Sequence, residues 1–341
     1  MWHKKAFEAC DATFKDIRNN QNHMGNLVVL LSGDFRQTLP VISKGTSVDE
    51  INSCLKTSYL WKSIKILSLK TNMRVRLEKN TGAEAFSSLL LKIGNGEIKS
   101  DPDNQIKIPK GINIVTNEET LIKSVFPNIL ENINNSDWLC ERAILASTND
   151  MVDNMNYKII SALPGEKFLS TSVDKVVDAD CSVNFPTEFL NSLKLSGMPP
   201  HLLYLKPGVP IMLMRNLQAP KLCNGTRLKV ISFTRNVITA SVLTGPAKGK
   251  EVMIPRIPMV PTDSPVQFRR LQFPVKLAFV MSINKAQGQT IKIVGGDLRN
   301  PCFSHGQFYV LCSRVSEIKN LYFLLPDVNE KTKNIVYKQI L

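Results

Sequence analysis

The chain reads as α/β, with a small all-β module set inside it. Three observations predict this. Short apolar runs alternate with segments of helical periodicity from residue 2 to about 163, the pattern of strand–helix units around a parallel sheet. After about residue 166 the helical period gives way to strand-like pieces separated by Pro and Gly. Apolar strand and helix patterns return near residue 270, so the all-β module interrupts an α/β domain. With 341 residues there is room for two or three domains and a sizeable core.

Ala6, Phe7, Cys10, Phe14 and Ile17 recur at helical spacing within residues 2–18. A polar loop follows, then NLVVLL, a continuous apolar run of the kind buried on both faces of a parallel sheet. It leads into SGDFRQTLPVI, so Asp34, Arg36 and Gln37 are expected just past a strand's carboxyl end, where open α/β sheets bind ligands. An ordinary polar turn closed by Pro40 is the alternative. Residues 46–62 look helical, and IKILSLK, 64–70, looks like a strand running into TNMRV. TGAE at 81–84 is a capping box opening a helix with Phe86, Leu89, Leu90 and Ile93 on one face, stopped by Gly94-Asn95-Gly96.

Residues 97–111 read as loop, NEETLIKSVF as helix, INNSD as loop and ERAILAS as strand. Thr148 or Asn149 then caps a helix lined by Val152, Met155, Ile159 and Leu163. The all-β pieces are PGVPIMLM, RLKVISF, NVITASVL and EVMIPRI, with turn chemistry in CNGT and TGPAKGK. FPVKLAFVM, IKIVGGDL, a helix FYVLCSRV opened by the SHGQ capping box at 304–307, and a last strand LYFLL complete the order.

Lys plus Arg number 43 against 29 Asp plus Glu, a net charge of +14, which favours a polyanionic partner, most simply nucleic acid. A generally solvated basic surface is the bland alternative. Seven cysteines stand without a CxxC pair or zinc spacing, and the four histidines lie apart, so neither a zinc site nor a His-centred triad is supported. The cysteines read as reduced thiols of an intracellular protein. The longest aliphatic run, Leu27 to Leu31, is far too short to span a membrane.

The densest polar stretch is AFVMSINKAQGQT, residues 278–290. It predicts a buried strand, Leu277 to Met281, then a polar turn and a helix start. Ser282, Asn284, Lys285, Gln287, Gln289 and Thr290 gather there, a donor set suited to an anion such as phosphate. An ordinary polar loop between strand and helix reads equally well from this stretch alone.

Taken in order, GDFRQTLPV, NMR, SINKAQGQT and FYVLCSRV resemble the later motifs of superfamily-one DNA helicases of the Pif-one-like family, and within it the Helitron-transposon helicases. LKPGVPIMLMRNL with CNGTRLKVI is similar to that family's β-barrel insert, its 2B domain, and FPTEFLNSLKLSGMPPHLLYLK to its lead-in. The resemblance covers nearly the whole chain. It implies RecA-like motor domains: residues 1–70 as the C-terminal part of the first, 71–183 and 269–341 as two segments of the second, and 184–268 as the insert with its lead-in. It also implies ATP and Mg²⁺ as cofactors, single-stranded or forked DNA as partner, 5′ to 3′ unwinding and a nuclear location.

The same resemblance implies roles residue by residue. Gln37 senses the γ-phosphate or its attacking water. Arg74 and Arg314 are arginine fingers, whose charged planar forks stabilise transition-state charge. A surface charge is the simpler reading for Arg74, and a cation at a helix C-terminus for Arg314. Ser282, Asn284, Lys285, Gln287 and Thr290 track DNA, with Gly288 toward the nucleotide. Three departures stand out. Asn284 replaces the commoner His, which costs little because Asn still donates and accepts. Leu311 and Cys312 replace two residues on the packing side of their helix. Gly296 stands where a large apolar residue is usual, which is expected to loosen that strand.

These residues contain no GxxxxGK[ST] and no strand ending in Asp-Glu. TGPAKGKE has one residue too few between Gly245 and Gly249-Lys250, Glu251 in place of Ser/Thr, and a hairpin context. Asp49-Glu50 follows no buried strand. By resemblance Met1 is expected just beyond the Asp-Glu box, and the isolated polypeptide is expected to hydrolyse ATP poorly and to expose apolar surface. Three readings follow: a helicase represented by part of its chain, a DNA-binding remnant of a mobile element, and a decayed copy.

Overall fold

The computed structural model describes residues 2–42, 45–69, 71, 73, 81–177, 185–261, 264, 266–326 and 330–341. The chain divides into two compact units, residues 1–116, 286–289 and 296–341 in one, and residues 117–285 and 290–295 in the other.

In the first unit the expected N-terminal helix forms as Lys4–Ile17, and the His3 ring accepts the Lys5 N–H at its start. Its buried residue is polar. Asp11 accepts from Met24 N–H at 2.6 Å, the Tyr59 hydroxyl at 2.8 Å and Lys15 at 2.7 Å. This carboxylate ties the helix to two neighbouring turns. Residues 46–62 break into the helix Ser47–Asn52, capped by a Thr46/Asp49 box, and two 3₁₀ turns, Leu55–Thr57 and Tyr59–Ser63. Asp49 therefore serves a helix cap.

The helix Thr81–Gly94 forms with Phe86 and Ile93 buried, and Gly96 leaves it at φ 66°. The segment expected as loop at 97–111 contains a strand, Gln105–Lys107, paired antiparallel with Lys331–Lys333. Asn113–Val115 pairs parallel with Leu321–Leu324. Gly296 tightens its strand, contrary to expectation. A Cβ there would lie 2.7 Å from the Phe323 ring and 3.0 Å from Leu311. The glycine is what lets the buried helix and strand approach.

The second unit contains the parallel pair Arg142–Ala146 and Val280–Ser282, overlain by the helix Asn149–Ala162. Asn156, 3% exposed, bonds both the carbonyl and the N–H of Val280, so a side chain completes the strand's pairing. INNSD, expected as loop, lies between two short helices, Ile129–Asn132 and Ser136–Cys140, and reaches into the second. The strands after residue 166 include a two-stranded antiparallel sheet, Phe168–Thr171 with Leu202–Leu205, and two larger antiparallel sheets. One orders Glu251–Pro255, Val237–Val242, Arg227–Phe233, Pro210–Leu213 and Val275–Leu277; the other Ile257–Met259, Phe268–Gln272 and Val173–Val176. TGPAKGK is the hairpin turn between Val237–Val242 and Glu251–Pro255, with Gly245 at φ 87° and Gly249 at φ 84°.

Two buried arginines hold these short strands. Arg227 gives its fork to the carbonyls of Leu139, Cys140 and Arg142 at 3.0–3.1 Å. Arg270 pairs with Asp174 at 2.6 Å and reaches the carbonyls of Leu190 and Pro199. No helix among the described residues is long and apolar enough to cross a membrane.

NLVVLL, expected as a buried strand, and IKILSLK, expected as a strand, form no strand over their described residues. No described strand pairs with either, and Val28 and Leu30 are 102% and 86% exposed, Leu67 and Leu69 76% and 101%. An apolar run becomes a strand only when a neighbour completes its backbone hydrogen bonds. A double variant, Val28→Lys with Leu30→Lys, should thus shift the 341-residue polypeptide's stability by no more than about 0.5 kcal/mol. It should also lower binding of a hydrophobic dye. Ile144→Ala, in the buried pair, should cost about 2–5 kcal/mol in denaturant melts. Comparable losses from both variants would contradict the exposure described.

Candidate functional site

Three segments far apart in sequence meet in the first unit: 34–38, 286–289 and 304–314. The 34–38 loop turns on the Gln37 N–H to Asp34 carbonyl bond of 3.1 Å. Four groups clamp it. The Tyr309 hydroxyl donates to Asp34 Oδ2 at 3.0 Å. Arg36 Nε donates to Asn95 Oδ1 at 2.6 Å. His305 Nε2 meets the Phe35 carbonyl at 2.7 Å. Gly306, at φ 71°, lies where a Cβ would fall 2.3 Å from the Arg36 carbonyl.

His305 is fully buried, and its Nδ1 accepts the Tyr337 N–H at 2.9 Å. A main-chain N–H only donates, so the ring proton sits on Nε2 and is given to Phe35. Burial pulls His305 below the usual histidine range, against the Phe35 carbonyl and the Asp34 charge, which pull it up. Burial likewise pushes Tyr309 up to about 12, helped by Asp34, so it remains a donor.

The 278–290 stretch differs from expectation in its second half. The strand is Val280–Ser282, and a single 3₁₀ turn, Ile283–Ala286, follows in place of a helix. Thr290 is exposed and the chain enters the strand Ile293–Asp297. No helix N-terminus is therefore available to an anion here. Gln287 donates to the Thr38 hydroxyl and at 3.4 Å to its carbonyl. Gly288 stands at φ 77°, exposed, with nothing within 4 Å of a Cβ built on it.

Ser282, Asn284, Lys285 and Thr290 belong to the second unit. There Lys285 donates to Asn224 Oδ1, in the CNGT turn, at 3.2 Å. Burial holds its ammonium below the usual lysine range, and Arg215 and Lys276 push the same way. Asn284 Oδ1 is buried without a hydrogen-bond partner.

Arg314 is 7% exposed at the end of the helix Gln307–Cys312. Nε donates to the Val310 carbonyl at 2.8 Å, and one terminal nitrogen to the carbonyls of Ala286 and Gln289, both at 3.0 Å. The helix-end cation and the link to 286–289 are thus the same group. Leu311 and Cys312 are fully buried, on the packing side as expected. SHGQ keeps half of its expected box: Gln307 Oε1 accepts from the N–H of Ser304 at 3.3 Å and of Phe303 at 2.9 Å, but the helix starts after Gly306. Arg74 lies outside the described residues. Among the described residues no group of three or more His, Cys, Asp or Glu is placed to hold a metal. The Arg314 fork rests on main-chain carbonyls.

Residues 1–104 match the family model of PIF1-like helicase, and residues 188–233 that of the DNA helicase Pif1 2B domain. The family matched is that of the PIF1-like helicases. The chain is 26% identical over 325 residues to the ATP-dependent DNA helicase PIF1 of Xenopus laevis, covering 92% of this chain and 44% of that protein. It is 23% identical to the ATP-dependent DNA helicase RRM3 of Saccharomyces cerevisiae, covering 95% of this chain and 50% of that protein. The chain thus spans about half, or less, of the length of these relatives. The fold is that of solved PIF1-like helicases. The Candida albicans Pif1 structure aligns at a TM-score of 0.63 and 22% identity over 99% of this chain and 73% of that one. A Bacteroides Pif1 bound to single-stranded DNA aligns at 0.64 and 19% over 100% and 70%.

Sequence reasoning missed groups that hold these segments in place: Thr38, Asn95, His305 and Tyr309 in the first unit, and Asn224 in the second. Their partners stand up to 275 residues away, and no local pattern marks such pairs. The His305 arrangement makes a pH prediction. A histidine lowered on folding contributes stability that is whole above its unfolded value of about 6.5 and is lost as pH falls through the folded value. Histidine ring signals assigned with a His305→Gln variant should show His305 titrating below 6.5, with Nε2 protonated when neutral. A midpoint at or above 6.5 would contradict the buried, doubly engaged ring.

Proposed function

We propose that this chain is the DNA-coupling portion of an ATP-dependent DNA helicase, of 5′ to 3′ polarity and Helitron type, acting in the nucleus. The observation that carries the reading is the meeting of 34–38, 286–289 and the Arg314 helix end in one unit by direct hydrogen bonds. Networks of direct hydrogen bonds between separate motifs are one means by which two sites are coupled.

In this reading Ser282, Asn284, Lys285, Gln287 and Thr290 follow the DNA backbone, and Gly288 leaves its main chain open. Gln37, with Arg74 and Arg314, faces the γ-phosphate of ATP, whose chemistry needs Mg²⁺. Arg314 reaches phosphate only by releasing the carbonyls of Ala286 and Gln289. The all-β strands serve as the 2B insert and close toward a barrel.

A second reading, a non-catalytic single-stranded-DNA-binding module left by a mobile element, is favoured by one observation. The Arg314 fork already rests on protein carbonyls, and the sequence contains no GxxxxGK[ST] motif. The two readings separate on turnover in the whole protein and agree on the isolated polypeptide.

The 341-residue polypeptide should release phosphate from Mg²⁺-ATP at background rate, with or without oligo-dT. DNA-stimulated turnover well above background would refute this. In anisotropy titrations it should bind oligo-dT at low salt and lose affinity steeply as salt rises. Lys285→Ala should weaken binding and reduce the salt slope by about 1. Absence of binding at low salt would remove both readings.

A further inference from the structure

The 278–290 stretch changes unit twice within a few residues. Residues up to 285 and from 290 belong to the second unit, while 286–289 belong to the first. In the first unit those four residues have two anchors, Arg314 on the Ala286 and Gln289 carbonyls and Gln287 on Thr38. The Arg314 anchor fixes the ends of the segment. The Gln287 anchor is the one that points at Gln37, because Thr38 is its chain neighbour.

Thr38 is 2% exposed, so it does not itself meet a ligand, and its hydroxyl faces a residue that stands half-buried beside the open backbone of Gly288. The loop containing Thr38 is stiffened by Tyr309 and His305. Displacement at Thr38 is therefore passed to the whole 34–38 turn and not absorbed locally.

We propose that Thr38 is a positioning residue which relays DNA occupancy of the 282–290 stretch to the loop containing Gln37, through the Gln287 amide. The relay rests on the reading that 282–290 holds DNA. When a phosphate or base draws the Gln287 amide away, the buried Thr38 hydroxyl loses its partner and the 34–38 loop shifts to recover one.

The loop has a natural reporter. The Phe35 ring meets the Trp61 ring edge-on at 5.6 Å, and Lys56 lies 4.8 Å from the Phe35 ring centre. The test uses the 341-residue polypeptide labelled with 5-fluorotryptophan, whose Trp61 signal is assigned by Trp61→Phe. On adding oligo-dT the Trp61 fluorine signal should move. In Thr38→Val, which keeps the shape and removes the hydroxyl, that movement should be lost while oligo-dT affinity stays within about twofold. Thr38→Ser should restore the movement, which separates loss of the hydroxyl from loss of fold. DNA binding with a still Trp61 signal, or an equal movement in Thr38→Val, would overturn the relay and leave the DNA reading standing. No anisotropy change at all would instead refute the DNA reading, and the relay with it.

Discussion

The guanidinium of Arg314 is the group on which the rest of the site depends. It sits at a helix end, where Val310 offers a carbonyl, and reaches across to the carbonyls of Ala286 and Gln289. Hydrogen bonds from a charged donor contribute about 1.5–3 kcal/mol each, against about 0.5–1.5 for neutral ones. The 286–289 segment has no helix or strand of its own to hold it beyond a 3₁₀ turn ending at Ala286. Only with both its ends fixed does Gln287 point at Thr38 and Gly288 turn its backbone outward. A lysine could neutralise a helix end, but a single ammonium lacks the planar fork that spans three carbonyls.

The second unit uses the same device twice. Arg227 and Arg270 are each 1% exposed and bind main-chain carbonyls from separate segments. Strands of three to seven residues have little ladder to hold them in register, so buried forks that collect several carbonyls supply the missing order. This qualifies the charge argument. Part of the basic excess is structural, committed to carbonyls in the interior, and is not offered to a polyanion. Lys285 differs, because burial and then the charges of Arg215 and Lys276 hold its ammonium below the usual lysine range.

Much of the fold was legible wherever a residue's environment is set by its own segment. The helices Lys4–Ile17 and Asn149–Ala162, the strand Arg142–Ala146 and the TGPAKGK hairpin follow local period and turn chemistry. NLVVLL failed for a nonlocal reason: composition reports the wish for burial, and burial needs a partner strand. The helix start expected after the polar turn of 278–290 failed because Gly288 takes a left-handed turn and the chain goes on into the strand Ile293–Asp297. Gly296 read as a weakness because the Phe323 ring it admits is 27 residues away. The motif residues Gln37, Gln287 and Arg314 were singled out as a set only through resemblance. Their wiring through Thr38, His305 and Tyr309 was not, since a hydrogen bond between residues hundreds of positions apart leaves no period.

That wiring bears on how a short stretch could serve two tasks. Lys285 bonds Asn224 in the all-β module, and one peptide bond later Ala286 is held by Arg314. Both anchors are polar and exchangeable, a carboxamide oxygen on one side and carbonyls on the other. An apolar anchor would have held the stretch as firmly but would have been indifferent to an arriving phosphate. Charged and polar contacts order the stretch and, on the proposed DNA-binding function, leave it responsive, because a phosphate would compete for the donors of Lys285 and Arg314 that keep it in place.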